Sequence, residues 1–202
     1  FSGAGGLSLG FSKAGMNCLA GIDFLRPAVE TFKLNHKNAI GIHGDIRKIK
    51  TKEFKKLIKN QKVHVVCGGP PCQGFSTIGP GDSKDSRNHL FLEYVRFVKD
   101  LRPNVIVMEN VTGLLAKKNV NTLSSIFNCF EKLGYNLDIK VLASHHYGVP
   151  QIRRRVILIG NNFKIENKYP FKKYNNVNEK MKGYKNARTV AWAFKKLLAS
   201  GK

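Results

Sequence analysis

The sequence predicts an α/β fold built on a doubly wound, mainly parallel sheet. Three observations predict it. Apolar runs of strand length, rich in β-branched residues, recur through the first 160 residues. Stretches of helical period separate them, as in successive βαβ units. The apolar runs are nearly continuous rather than alternating, as expected of strands covered on both faces.

The elements follow in order. A helix is expected to start at Leu7. Residues 17–23 read as a strand and 27–35 as a short helix with Pro27 in its first turn. Residues 39–42 form a weak strand. Phe54, Leu57 and Ile58 mark an amphipathic helix over 52–60, and 63–67 is a buried strand. Residues 68–84 form a loop rich in Gly, Pro and Ser, long enough to expect a function. Leu90, Phe91, Tyr94, Phe97, Val98 and Leu101 keep helical spacing, and 105–109 is another buried strand. Leu123, Ile126, Phe127, Phe130 and Leu133 define the next helix, stopped by Gly134. Residues 135–143 and 156–160 are strands. The chain divides into a domain over 1–160 and a basic, Lys- and Asn-rich segment over 161–202. That segment reads as a linker with a short terminal helix over 189–198. There are no internal repeats.

A chain of 202 residues is long enough to bury about 70% of its unfolded surface without a disulfide or metal staple. No apolar run approaches a membrane span, and no secretory leader is visible. Lys and Arg number 35 against 13 Asp and Glu, a net charge of +22 that points to a polyanionic partner. Nucleic acid fits best; an anionic membrane would need a basic amphipathic helix, and none is seen. Cys18, Cys67 and Cys129 read as small buried hydrophobes of a reduced chain. No Cys/His spacing suggests a metal, and adjacent His145 and His146 would point to opposite faces of an extended segment.

Four constellations carry chemistry, because right-handed crossovers place the strand-to-helix loops along one edge, where such sheets bind ligands. Phe1-Ser2-Gly3-Ala4-Gly5-Gly6 precedes a helix start, where glycines admit a ligand close to free backbone N–H groups. Asp23, about 20 residues on, suits ribose hydroxyls, and Asp45 suits an adenine amine. Together they suggest a nucleoside-type cofactor; a tight turn is the bland alternative. Pro71-Cys72-Gln73 follows a buried strand, which puts Cys72 at the ligand edge as a candidate thiolate nucleophile rather than a structural cysteine. Glu109-Asn110-Val111 ends the next buried strand. A partly desolvated Glu109 there would hold a proton to donate, unless it merely caps a helix. In Gln151-Ile152-Arg153-Arg154-Arg155, Arg153 and Arg155 share a face and suit a carbonyl, carboxylate or phosphate; an exposed basic edge strand is the alternative.

In order and spacing these motifs resemble those of the cytosine-C5 DNA methyltransferases, from the first residue to about Gly160. The resemblance implies the SAM-dependent methyltransferase (Rossmann-like) fold, with S-adenosylmethionine (SAM) as cofactor and double-stranded DNA as partner. It implies a flipped-out cytosine, Cys72 adding to C6, and protonated Glu109 bonding N3 and the amino group. Arg153 and Arg155 would serve O2 and orient the cysteine loop. Phe1 and Phe24 would flank the adenine, and Asp23 and Asp45 would hold the nucleoside. Ser2, Gly3, Ala4, Gly5, Gly6, Ile46, Pro71 and Leu90 complete the cofactor site. Gln73, Ser76, Asn110 and Gln151 would meet nucleic acid, and no metal or membrane is implied. Asp23 stands where the family often has Glu, a shorter arm toward the ribose.

The family's later motifs and its target-recognition domain are not found here, nor is a strand before Phe1. The chain is therefore expected to be a catalytic portion, a fragment or one partner of a second polypeptide. Alone it should bind DNA with strong salt dependence and methylate little. A restriction-modification role, in bacterial or phage cytoplasm near the nucleoid (or in a nucleus), is implied. A tRNA cytosine-C5 methyltransferase is the nearest rival, although Phe75-Ser76 follows the DNA enzymes. A non-catalytic DNA-binding subunit is the other.

Overall fold

A computed structural model describes residues 1–71, 86–176 and 178–199. Helix α1 (Gly6–Lys13) leads to β1 (Ala20–Asp23), α2 (Arg26–Asn35) and β2 (Ile40–His43). Then come α3 (Thr51–Leu57), β3 (Val65–Gly68), α4 (Ser86–Leu101), β4 (Val105–Asn110), α5 (Val120–Glu131), β5 (Asn136–Ala143), β6 (Arg154–Asn161) and α6 (Val190–Ala199). The expected α/β alternation is present, with boundaries shifted by a few residues.

The strands form a parallel pair, β1–β2, and a four-stranded sheet in the order β3-β4-β6-β5. β3 and β4 are parallel, and β6 runs antiparallel to both β4 and β5. Three of the four strands thus point the same way, and the sheet is mainly parallel with one reversed strand. Residues 1–2 lie between the two sheets: Ser2 N–H donates to the Ile22 carbonyl, and Phe1 stands against Gly68.

Two apolar clusters hold the layers. In one, Phe91, Tyr94 and Val98 of α4 and Ile126 and Phe130 of α5 cover Ile106 and Met108 of β4 and Val156 and Leu158 of β6. In the other, Phe97 on the opposite side of α4 meets Ile22, Ile46, Phe54 and Ile58. Phe54 and Phe97 stack edge to face at 5.4 Å between centroids. Phe1 packs against both clusters. The hydroxyl of buried Tyr94 donates to Val66 and Val107 carbonyls at 3.1 and 3.2 Å, and so ties α4 to β3 and β4.

Residues 161–169, at the start of the segment read as a linker, are bonded to the sheet. Asn161 donates to Asn167 at 2.8 Å, Asn167 donates to Asp138 at 3.0 Å, and the Tyr169 hydroxyl donates to the Ile157 carbonyl at 3.2 Å. His145 and His146 are not on opposite faces as an extended segment would place them. They sit in a single 3-10 turn, and both Nε2 atoms reach Asn176 Oδ1, at 2.7 and 3.0 Å.

Phe130 is fully buried and meets Phe91, Tyr94 and Tyr135 edge-on at 5.9, 6.2 and 6.5 Å. Phe130→Ala is expected to lower stability by about 3–5 kcal/mol through lost burial plus a cavity. Denaturant unfolding should show a lower midpoint at an unchanged slope. A loss below about 1 kcal/mol would show that this cluster is not the keystone of the core.

Candidate active site

The C-terminal ends of β1, β2, β3 and β4 bring the predicted residues to sheet edges. Asp23 ends β1, with its Oδ2 accepting the Gly3 N–H at 2.8 Å and its Oδ1 accepting the Leu25 N–H at 3.1 Å. The Gly44 N–H donates to the Asp23 carbonyl at 2.9 Å, which places the Asp45 turn beside it. Asp45 caps a short 3-10 turn and is gripped by Arg47, whose Nε lies 3.0 and 2.9 Å from its two oxygens. These hydrogen bonds hold the Asp45 carboxyl below the usual carboxylate range.

The glycines divide into two kinds. Gly3 adopts a left-handed φ of +54° and Gly6 opens α1; a Cβ on either would meet open space. Gly5 is different. It is buried, and a Cβ there would stand 2.6 Å from the His36 ring and 2.8 Å from Phe32. Its N–H donates to Ser2 and its carbonyl accepts from His36 and Ser8. Gly5 is a packing position, where only a residue without a Cβ fits beside His36 and Phe32. Ser2 is half-buried and Ala4 exposed. No side chain caps α1, so its first-turn N–H groups remain available to an anion.

Phe24 is 68% exposed, as an aromatic wall awaiting a partner would be, whereas Phe1 is largely core. Ile46 is also core: its side chain is buried, so any contact it makes with a ligand runs through its backbone. Leu90 is half-buried against the same cluster, and Pro71 is half-buried at the edge. Arg96 was not foreseen. It donates to Thr51 Oγ1 at 2.7 Å and to the Ile46 and Ile49 carbonyls at 2.9 and 3.0 Å, and so fastens the Asp45 turn to α4. A charged residue on an amphipathic helix reads as surface, so nothing in the sequence pointed to it.

At the second edge Glu109 and Arg155 meet. Glu109 pairs with Ile157 across the β4–β6 ladder, so Arg155, two residues away on β6, shares its face. Arg155 Nε lies 2.8 Å from Glu109 Oε1, with both side chains about a quarter to a third exposed, 26% and 32%. Its Nη1 donates to the Arg154 carbonyl at 2.8 Å, which fixes the guanidinium plane. Glu109 Oε2 also crowds Gly69: a Cβ there would approach it to 3.0 Å. Arg153 is exposed, its main chain bonded to Ser144, and Gln151 is exposed.

Asn110, expected from the sequence to meet nucleic acid, is held within the protein. It is 9% exposed; its Nδ2 donates to the Pro70 carbonyl at 3.0 Å, and its Oδ1 accepts the Val111 N–H at 2.9 Å. It anchors the turn that leads to Cys72. Cys72, Gln73 and Ser76 lie outside the described residues. Cys18, Cys67 and Cys129 are free, half-buried thiols raised by burial, Cys67 to about 11. Among the described residues there is no group of three His, Cys, Asp or Glu suited to a metal, and no helix long and apolar enough to cross a membrane.

The family model of the C-5 cytosine-specific DNA methylases matches residues 1–199. The chain is 42% identical over 163 residues to the Type II methyltransferase M1.HphI of Haemophilus parahaemolyticus, covering 79% of this chain and 44% of that protein. It is 38% identical over 183 residues to the Type II methyltransferase M.NgoPII of Neisseria gonorrhoeae, covering 90% and 52%. Among solved structures, a prophage-encoded E. coli protein assigned as a DNA modification methyltransferase superposes with a TM-score of 0.69 at 32% identity. That match covers 80% of this chain and 44% of that one. The chain spans about half the length of these relatives. With its ordered motifs and this fold, the chain belongs to the C-5 cytosine-specific DNA methylase family.

Proposed function

We propose that the chain carries the catalytic portion of a DNA (cytosine-5-)-methyltransferase that works with SAM on duplex DNA. One observation carries the reading: the Glu109–Arg155 pair stands beside Gly69 and the Asn110-anchored Pro70 carbonyl, two residues before Cys72 in the chain. A carboxyl and a guanidinium thereby share the sheet edge at which the chain runs on toward Cys72.

The open space at Gly3 and Gly6, the uncapped start of α1, Asp23, Asp45 and exposed Phe24 suit a nucleoside cofactor with a charged tail. SAM, when bound, supplies the methyl group. The chain's own residues do the rest. The target cytosine must leave the stack, because its ring atoms are out of reach inside the duplex. Cys72 thiolate forms the bond to C6, and the ring electrons move toward N3 and C5. Glu109 faces N3 and the exocyclic amine and accepts from that amine. Arg155 orients that carboxyl, and Arg153 reaches toward O2 or a phosphate. After methylation the C5 proton passes to solvent water, its electron pair restores the C5–C6 double bond, and the C6–sulfur bond breaks to release the Cys72 thiolate. Gln73, Ser76 and Gln151 are proposed to meet the DNA. The +22 charge supplies phosphate attraction, and the Type II relatives suggest a restriction-modification setting wherever the host keeps its DNA.

The trapping test uses duplex containing 5-fluorocytosine, SAM and a supplied recognition portion. The chain should form a covalent adduct. Cys72→Ser should form none while keeping non-specific DNA affinity within about twofold. An adduct persisting in Cys72→Ser would refute the assignment.

Asn110→Ala should lower kcat by about 10- to 100-fold through misplacement of the cysteine turn, with little change in KM for SAM. It should also cost about 1–3 kcal/mol of stability, since the Pro70 carbonyl loses a buried partner. Unchanged kcat would remove Asn110 from the positioning role.

Alkylation separates the thiols. Near pH 7.5 Cys67 should react slowly, because burial raises its pKa to about 11 and leaves little thiolate. Its rate should climb as pH approaches that value. Fast labelling of Cys67 at neutral pH would contradict the structure.

A further inference from the structure

We infer that the sheet edge opposite the candidate active site is a second surface, one that binds the sugar-phosphate backbone of duplex nucleic acid. The inference does not rest on the catalytic reading. β3, β4 and β5 begin at this edge, and β6 ends there, in a row through Val65, Val105, Asn161 and Asn136. The turns are bound to one another. Asn104 N–H donates to the His64 carbonyl at 2.9 Å, Asn162 N–H donates to the Asn104 carbonyl at 3.2 Å, and the Tyr135 hydroxyl donates to the Pro103 carbonyl at 2.6 Å. The edge is thus a fixed platform rather than four separate loops.

Every one of its turns presents an exposed cation: Lys59 and Lys62 before β3, Arg102 before β4, Lys132 before β5 and Lys164 after β6. None of these five is in an ion pair. Asp100, Glu131 and Glu166 are the acidic neighbours, and with Lys99 added the cations outnumber them two to one. Among the described residues, the non-glycine residues with positive φ are Lys59, Asn60, Arg102 and Lys164, at 54°, 54°, 49° and 58°. All four lie on this edge, and three of them are cationic. Glycine is the usual occupant of such positions at the ends of helices like α3 and α4. Here the chain keeps long basic side chains instead. The helix dipole accounts for a cation at the end of α3 and of α4, but not for Lys164, which follows a strand.

The shape also fits. A cavity of about 210 Å³ opens between Lys55, Asn60, Gln61, Lys62, Val63 and Leu101, with two ammonium groups and two amides able to meet a phosphate. Three inter-strand steps of about 4.8 Å make the row about 14 Å long, and a duplex carries one charge per about 1.7 Å of axis. A single free phosphate would leave most of the row unpaired; a duplex backbone would not. Leu57, Phe163 and Ile165 are exposed apolar neighbours, too few for membrane insertion.

The test uses a short duplex of adenine and thymine only, so that no target base engages the candidate active site. Lys59→Gly, Arg102→Gly and Lys164→Gly combined remove three cations while relieving three left-handed positions, so thermal stability should hold or rise. Duplex affinity at low salt should fall at least about tenfold, and the slope of log affinity against log salt should shrink by about 2–3. A charge-matched control, Lys13→Gln with Lys33→Gln and Lys37→Gln, should change both much less. Millimolar inorganic phosphate at constant ionic strength should leave duplex binding intact. Equal effects of the two triple variants, or no effect of the glycine variant, would overturn the inference. So would displacement by phosphate alone, or a loss confined to phosphatidylserine vesicles.

Discussion

The candidate site depends on the antiparallel seating of β6 beside β4. That register opposes Glu109 to Ile157, and the two-residue period of a strand then brings Arg155 to the same face. The opposite faces of the same strands bury Ile106, Met108, Val156 and Leu158 under α4 and α5, so the core fixes the pairing. A slip of one residue would send Arg155 into the apolar layer. The ion pair itself, partly exposed, adds little to stability. Its weight lies in where it holds a carboxyl: against Gly69 and beside the turn that Asn110 ties down.

The cofactor side is organised separately. Phe1 and Ser2 join β1 to the larger sheet, Asp23 receives the Gly3 and Leu25 N–H groups, and Arg96 clamps the turn that carries Asp45. Two kinds of glycine serve this region. Gly3 and Gly6 leave open space, while Gly5 makes room for His36 and Phe32. A glycine-rich loop is therefore partly a ligand cradle and partly a packing device.

Much of this was legible in the sequence, and what was not has physical reasons. Continuous apolar runs announced the strands and helical spacing announced α4 and α5, because burial dictates both patterns. Strand direction is not encoded in periodicity, so the reversal of β6 was hidden. Glu109 and Arg155 were readable as strand-end polar residues on defined faces; that they touch is a matter of register. That the alternation of faces turns the Asn110 amide inward to Pro70 depends on register and was not legible. His145 and His146 would part only in an extended segment, and a 3-10 turn carries them instead. Arg96 and His36 work through backbone carbonyls, which no side-chain pattern marks. The cysteine loop was the plainest motif in the sequence, although Cys72 itself lies outside the described residues.

The most direct measurement of the central claim is a double-mutant cycle on Glu109 and Arg155. Glu109→Gln, Arg155→Gln and the double variant would be compared with the unaltered chain for the rate of covalent trapping on 5-fluorocytosine duplex. If the guanidinium acts by orienting the carboxyl, the double variant should be no slower than Glu109→Gln alone, a strongly non-additive result. Independent, multiplying losses would contradict the account, since they would mean that the two groups met across β4 and β6 serve separate ends.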